Sequence, residues 1–124
     1  DNMEDYQAKA QAIQEAEVYK EAFAISTCPA EGLISPPVVG AQAANDLLNI
    51  NNIRASVVLT LYNGTIFVSA RSIDDINVQV MMEYLGGGGH RNVAGAQLTG
   101  MSMEAAKARI REVISQMLEK GDIT

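Results

Sequence analysis

An α/β (α+β) fold is predicted: a mixed sheet of about four to five strands with one antiparallel hairpin, flanked by helices. Three observations carry it. Asn63-Gly64 stands between two alternating apolar runs, which is the strongest short-range hairpin signal because both residues tolerate positive φ. Apolar stripes at helical spacing, at 37–49, 78–85 and 102–120, alternate with runs of strand character. A length of 124 residues, 48% hydrophobic and 19% charged, suits one domain with an ordinary core rather than a disordered chain.

The elements follow in order. Residues 2–18 carry Tyr6, Ala10 and Ile13 on one helical face among Gln, Glu and Lys. That stripe is thin, so the helix either closes this domain or is the tail of a linker from something upstream. Tyr19 to Thr27 reads as one strand with Phe23 and Ile25 on a common face. Pro29, Gly32, Pro36 and Pro37 punctuate a loop. Ser35 before Pro36 predicts a helix start, the hydroxyl capping free N–H groups and the proline losing no hydrogen bond. The helix over 37–49 turns Ala43, Ala44, Leu47 and Leu48 inward. Arg54 to Tyr62 alternates, with Ala55, Val57, Leu59 and Leu61 on one face, and Thr65 to Arg71 returns after the turn. Asp75 or Asn77 caps a short helix carrying Val78, Met81, Met82 and Leu85, which a glycine run ends at Gly86. Ala94 to Thr99 is a further short strand. Ser102 caps the last helix, and Glu104 faces the positive end of its macrodipole. Ile110, Val113, Ile114, Met117 and Leu118 form its core stripe, closed by Lys120 and Gly121. The six Met residues fall mainly on such stripes and read as core.

Fifteen acids against nine bases give a net charge of −6. A broad footprint for long duplex nucleic acid draws on many Lys and Arg and is excluded, whereas a short or single-nucleotide ligand needs only a few local donors. A single cysteine, Cys28, excludes an intramolecular disulfide and a multi-Cys zinc site; within the apolar run from Ala22 it reads as a buried core thiol. No stretch approaches the roughly 18 apolar residues of a membrane span, and no signal-peptide pattern is present. The chain opens on Asp1 rather than Met, so it is read as a piece of a longer protein.

The chemistry concentrates at Gly86-Gly87-Gly88-Gly89-His90-Arg91. Each glycine gives up more backbone entropy on folding than any other residue. One after a helix is a C-cap; four in a row suggest a ligand close to bare backbone, with successive N–H groups turned toward an anion. His90 and Arg91 add side-chain donors for phosphate. The plain alternative is a flexible turn with a solvated His. Arg71-Ser72, at the end of the hairpin strand, is the second candidate if the fold delivers it to the glycine loop. Asp74 and Asp75 read as turn and cap residues. His90 is the only histidine, so no two-metal His/Asp cluster can be assembled, and no Ser/His/Asp or Cys/His set is evident. The expected sites are therefore substrate-binding (Arg71, Ser72, Gly86, Gly87, Gly88, Gly89, His90 and Arg91), with no catalytic or metal-binding residue.

With GGGGH at 86–90, Ala94-Gly95 and Arg71-Ser72, the chain resembles the C-terminal DHH-associated domain of the DHH phosphoesterases over roughly 19–120. The segments AQAANDLLNI (41–50), ASVVLTLYNGTIFVSARSIDDINVQVMMEYLGGGGH (55–90) and AGAQL (94–98) are most similar to the cyclic di-AMP phosphodiesterase branch. One departure is Val93, where many members have Asn three positions after the His; here Asn92 lies one earlier. The resemblance implies a domain that holds the substrate phosphate and nucleotide through the glycine loop, the His and the Arg. It implies a DHH domain upstream carrying two manganese (or magnesium) ions, none of them bound by this chain, with residues 1–18 as the linker helix from that domain and 19–124 as the substrate-binding domain. It further implies a bacterial parent anchored in the membrane and facing the cytoplasm, and it allows a homodimer. Alternatives are the same domain of a nanoRNase, phosphatase or exonuclease, or an RNA-binding tail module like that of alanyl-tRNA synthetase.

Overall fold

The computed structural model of the chain describes residues 1–122. The elements are α1 (Met3–Gln14), β1 (Glu17–Tyr19), β2 (Phe23–Thr27), α2 (Pro36–Leu47), β3 (Ala55–Tyr62), β4 (Thr65–Ser72), α3 (Val78–Glu83), β5 (Gly88–Gly89), β6 (Val93–Leu98) and α4 (Met103–Lys120). One mixed sheet runs in the order β1-β2-β3-β4-β6-β5. Only β2 and β3 are parallel, joined by the α2 crossover; every other neighbouring pair is antiparallel.

The sheet has six strands rather than four to five, because two short edge strands escape the sequence pattern. The run expected as one strand from Tyr19 folds back on itself: Lys20 and Glu21 take positive φ (52° and 67°), and β1 pairs with β2. Neither residue is a usual turn former, so nothing in the local chemistry announced the turn. The other edge, β5, is made of two glycines, which have no side chain to alternate.

Each side of the sheet has its own core. On one side, α3 and α4 cover Phe23, Ile25, Val57, Leu59, Ile66, Val68, Ala94 and Ala96 with Met81, Met82, Ile110, Val113, Ile114 and Met117. On the other, α1 and α2 pack Ala8, Ala12, Val39, Ala43, Ala44 and Leu47 over Ala24, Cys28 and Val58. The helices here sit close because the contact residues are small. A Cβ at Gly40 would collide with the Thr60 hydroxyl. Two strand hydroxyls face helix carbonyls across this seam, Ser26 donating to Ala12 O (2.5 Å) and Ser56 to Ala44 O (2.6 Å). Burial pushes the Cys28 thiol up to about 11, as desolvation of the thiolate requires.

Some expected faces shift. In α1 the buried residues are Ala8, Lys9 and Ala12, while Tyr6 and Ala10 are exposed. The Lys9 ammonium stays satisfied, donating to Asp1 Oδ2 (3.1 Å) and Gln42 Oε1 (3.3 Å) and lying 4.4 Å from the Tyr6 ring centroid. Leu61 and Leu118 sit past the covered part of their elements and are exposed. Of the methionines, Met81, Met82 and Met117 are core, whereas Met3 and Met101 are exposed.

The two serine caps also part company. Ser102 accepts from Ala105 N–H (3.1 Å) and Asn77 from Val80 N–H (3.2 Å), as expected. Ser35 occupies the cap position of α2 with no side-chain hydrogen bond. Pro36 and Pro37 have no N–H to offer, and Val38 N–H is taken by Ser35 O (3.1 Å). Ser102→Ala should therefore cost about 1 kcal/mol and Ser35→Ala only a few tenths, a difference that urea denaturation of the two variants will read.

The edge strand β1 is clasped to α4 by Arg111, whose Nε and Nη2 reach the Glu17 carboxylate at 3.1 and 2.6 Å. The Arg111 hydrogen bonds hold the Glu17 carboxyl below its ordinary 4.5. A depressed carboxylate adds stability above its unfolded pKa and loses it as pH falls through the folded one. Glu17→Gln should thus lower the thermal midpoint at pH 7 and leave it unchanged at a pH acidic enough to protonate Glu17; melts at the two pH values check this. Among the described residues no helix is long and apolar enough to cross a membrane.

Candidate functional site

The glycine run meets three separate demands. Gly86 (φ 82°) is the left-handed residue that ends α3, with Gly86 N–H donating to Glu83 O (3.0 Å) and Gly87 N–H to Met82 O (2.8 Å). This is a Schellman cap. Gly87 and Gly89 let the chain press against β6: a Cβ at Gly87 would run into Gly95 O and stand 2.7 Å from Ala96 Cα, and one at Gly89 would stand 2.6 Å from Ala94 Cα. A Cβ would meet open space at Gly86 and at Gly88, and of these two only Gly86 has a positive φ. Successive N–H groups free for an anion were expected, but those of Gly86 and Gly87 close the helix, and that of His90 binds Val93 O (2.7 Å). The run is first a device for laying bare backbone along β6.

Strand register then orders the candidate residues. Arg71 lies opposite Val93, and Val93 N–H returns a bond to His90 O (3.3 Å), so Arg71, Val93 and His90 form one row across three strands. Directly opposed residues share a face. At strand spacing, Arg71 and His90 stand about 10 Å apart across β6. The next row is Ser69, Gly95 and Gly88, and the one after it pairs Phe67 with Gln97. This is the face that α1 and α2 leave uncovered beyond β4. The middle row has almost no side chains, so it forms a trough. A cleft of about 480 Å³ lies there, lined by Pro37 of α2, by Phe67, Val68 and Ser69, by Gly86 and Gly87, and by Gly95, Ala96 and Gln97. Arg71 and His90 stand one row beyond its floor, at one end.

The Arg71 guanidinium is half-buried, and its Nη1 donates to Ala70 O (2.9 Å) and Ala94 O (3.4 Å). Desolvation alone pulls its pKa down, yet an arginine stays protonated. Among the described residues it has no carboxylate partner; the recorded ion pairs use Lys9, Lys107, Arg109 and Arg111. A partly desolvated cation without a counter-charge is a ready anion partner. His90 is exposed.

Ser72 and Arg91 are used differently. The buried Ser72 hydroxyl donates to Ile76 O (2.6 Å) and accepts from Asn92 Nδ2 (2.9 Å), on the core side of β4. Strand alternation sends Ser72 away from the face that Arg71 occupies. Arg91 Nη2 donates to Asp75 O (2.9 Å), and Arg91 O accepts from Val78 N–H (2.8 Å). These residues brace the turn after β4 against the turn between β5 and β6, and so fix Arg71 relative to His90. Phe67, Ser69 and Gln97 were not singled out from sequence. The available signal was the alternation Thr65, Phe67, Ser69, Arg71, which puts Phe67 and Ser69 on the Arg71 face once that face is known to be open.

The chain matches the DHHA1 domain over residues 22–120. It is 37% identical over 122 residues to the cyclic-di-AMP phosphodiesterase GdpP of Geobacillus thermodenitrificans, covering 98% of this chain and 18% of that protein. It is 36% identical over 107 residues to the cyclic-di-AMP phosphodiesterase PdeA of Listeria monocytogenes, covering 86% of this chain and 16% of that one. The chain thus spans less than a fifth of these relatives. An exopolyphosphatase-related protein from Bacteroides fragilis has a similar fold, with a TM-score of 0.74 at 24% identity over 97% of this chain and 35% of its own.

Proposed function

The chain belongs to the DHHA1 domain family, and from that premise we propose that its open cleft holds the nucleotide substrate of a DHH-family phosphodiesterase acting on cyclic di-AMP or short linear dinucleotides. The observation that carries this reading is the register: a floor without side chains, Gly95 and Gly88, bordered by a row holding Arg71 and His90. Such a floor admits a phosphodiester to the backbone, and the row offers it a cation with no carboxylate to compete. The names of the relatives at 36–37% identity support the same substrate class. An RNA-binding tail is the weaker reading, since a net charge of −6 opposes a long polyanion.

The described residues do not fit a metal ion, since no three His, Cys, Asp or Glu converge among them. The two manganese or magnesium ions are proposed to lie in a separate DHH domain. In this reading α1 connects to that domain, in a parent anchored at the cytoplasmic side of a membrane. The residues of this chain bind and orient: Arg71 and His90 fix a phosphate, and the glycine floor sets its depth.

With manganese supplied, the longer protein should hydrolyse cyclic di-AMP and the 124-residue chain alone should not. Chromatography of the products tests both. Turnover by the chain alone, abolished by a chelator, would overturn the division of labour.

A further inference from the structure

We propose that Phe67 and Gln97 form a nucleobase slot at the far end of the cleft, Phe67 stacking on the base and Gln97 selecting adenine. The proposal rests on the phosphodiesterase reading above and adds what that reading leaves open, the part of the substrate that is not phosphate.

Phe67 is only half-buried and belongs to neither core. Its recorded aromatic neighbour is Tyr62, at 6.5 Å between centroids and tilted by 46°, so no parallel ring covers it. It lines the cleft together with Pro37. An aromatic face is the common platform for a base, and it tolerates any base.

Selection falls to the residue beside it. Gln97 is the register partner of Phe67, so their Cβ atoms are neighbours on one face. Gln97 is exposed, and among the described residues its amide makes no hydrogen bond. A glutamine amide carries one donor and one acceptor side by side. Adenine offers the matching pair, an acceptor at N7 and a donor at N6, whereas guanine offers two acceptors, N7 and O6. From Phe67 to Arg71 the strand rises about 14 Å, a span that one nucleotide bridges once the long Arg71 and Gln97 side chains reach toward each other. Base at one end and phosphate at the other is the layout the register supplies.

The test uses the longer protein, manganese, and two substrates, cyclic di-AMP and cyclic di-GMP. The wild type should favour cyclic di-AMP in kcat/KM by about five- to a hundredfold, the range of one bidentate base contact. Gln97→Leu should erase that preference through KM and leave kcat close to wild type. Phe67→Leu should raise KM for both substrates about tenfold, and Phe67→Tyr should restore it, with thermal melts confirming that all variants are folded. Full adenine preference in Gln97→Leu would overturn the slot while Arg71→Ala still lost turnover. If instead the wild type cleaved neither substrate, or Arg71→Ala had no effect, the phosphodiesterase reading itself would fall and the slot with it.

Discussion

Gly87→Ala should destabilise the fold severely. The new Cβ would strike backbone on both sides, Gly95 O and Ala96 Cα, and neither belongs to a flexible side chain. Relief requires β5 to leave β6 or the α3 cap to open, and that cap holds the Gly87 N–H bond to Met82 O. Overpacking that backbone cannot absorb costs about 3 kcal/mol or more. For a chain of this size that is roughly a 10 °C drop in thermal midpoint. Gly88→Ala is the control, since its Cβ meets nothing within 4 Å; it should melt within a degree or two of wild type. Differential scanning calorimetry of both variants is the measurement, and equal midpoints would mean that β5 does not press on β6 as described.

Arg71→Ala should abolish most dinucleotide turnover in the longer protein while leaving the fold intact. Its hydrogen bonds within the chain go to two carbonyls, Ala70 O and Ala94 O, which can take water at an open cleft. What is lost is the charge aimed at phosphate. A hydrogen bond between charged groups is worth about tenfold to a hundredfold in binding. His90→Ala should lose a similar factor, because it flanks the same trough two strands away. Gly88→Val should do at least as much damage, since its side chain would stand in the trough between them. Steady-state kinetics read the loss and thermal melts exclude unfolding. Wild-type kinetics in Arg71→Ala, His90→Ala and Gly88→Val alike would reduce the glycine run to a turn and a packing device.

Much of the architecture was legible because its determinants are local. The Asn63-Gly64 hairpin, the Ser102 and Gly121 caps of α4, and the stripe Ile110, Val113, Ile114, Met117 depend on spacing within a dozen residues. Where the reading failed, the cause lies outside that range. Ser35 lost its cap role to two prolines and a backbone acceptor. The α1 face turned from Tyr6 to Ala8 and Ala12 because α2 permits only small residues at that contact. The β1–β2 turn used Lys20 and Glu21, whose strained φ is imposed by strand pairing rather than by their own preference.

The site divides the same way. GGGGH at 86–90 and Arg71 stand out from residue type alone as candidates, since four consecutive glycines carry an entropic cost that needs a reason. Which glycine serves what depends on contacts between strands. Gly86 ends a helix at a positive φ, Gly87 and Gly89 press on β6, and Gly88 faces open space without needing a positive φ. The tertiary structure also separated Arg71 from Ser72, neighbours in sequence that alternation places on opposite faces of β4, and it brought Phe67 and Gln97 together across 30 positions of chain. A residue's type is local, whereas its face and its partners are set by strand register and by where the helices stop covering the sheet.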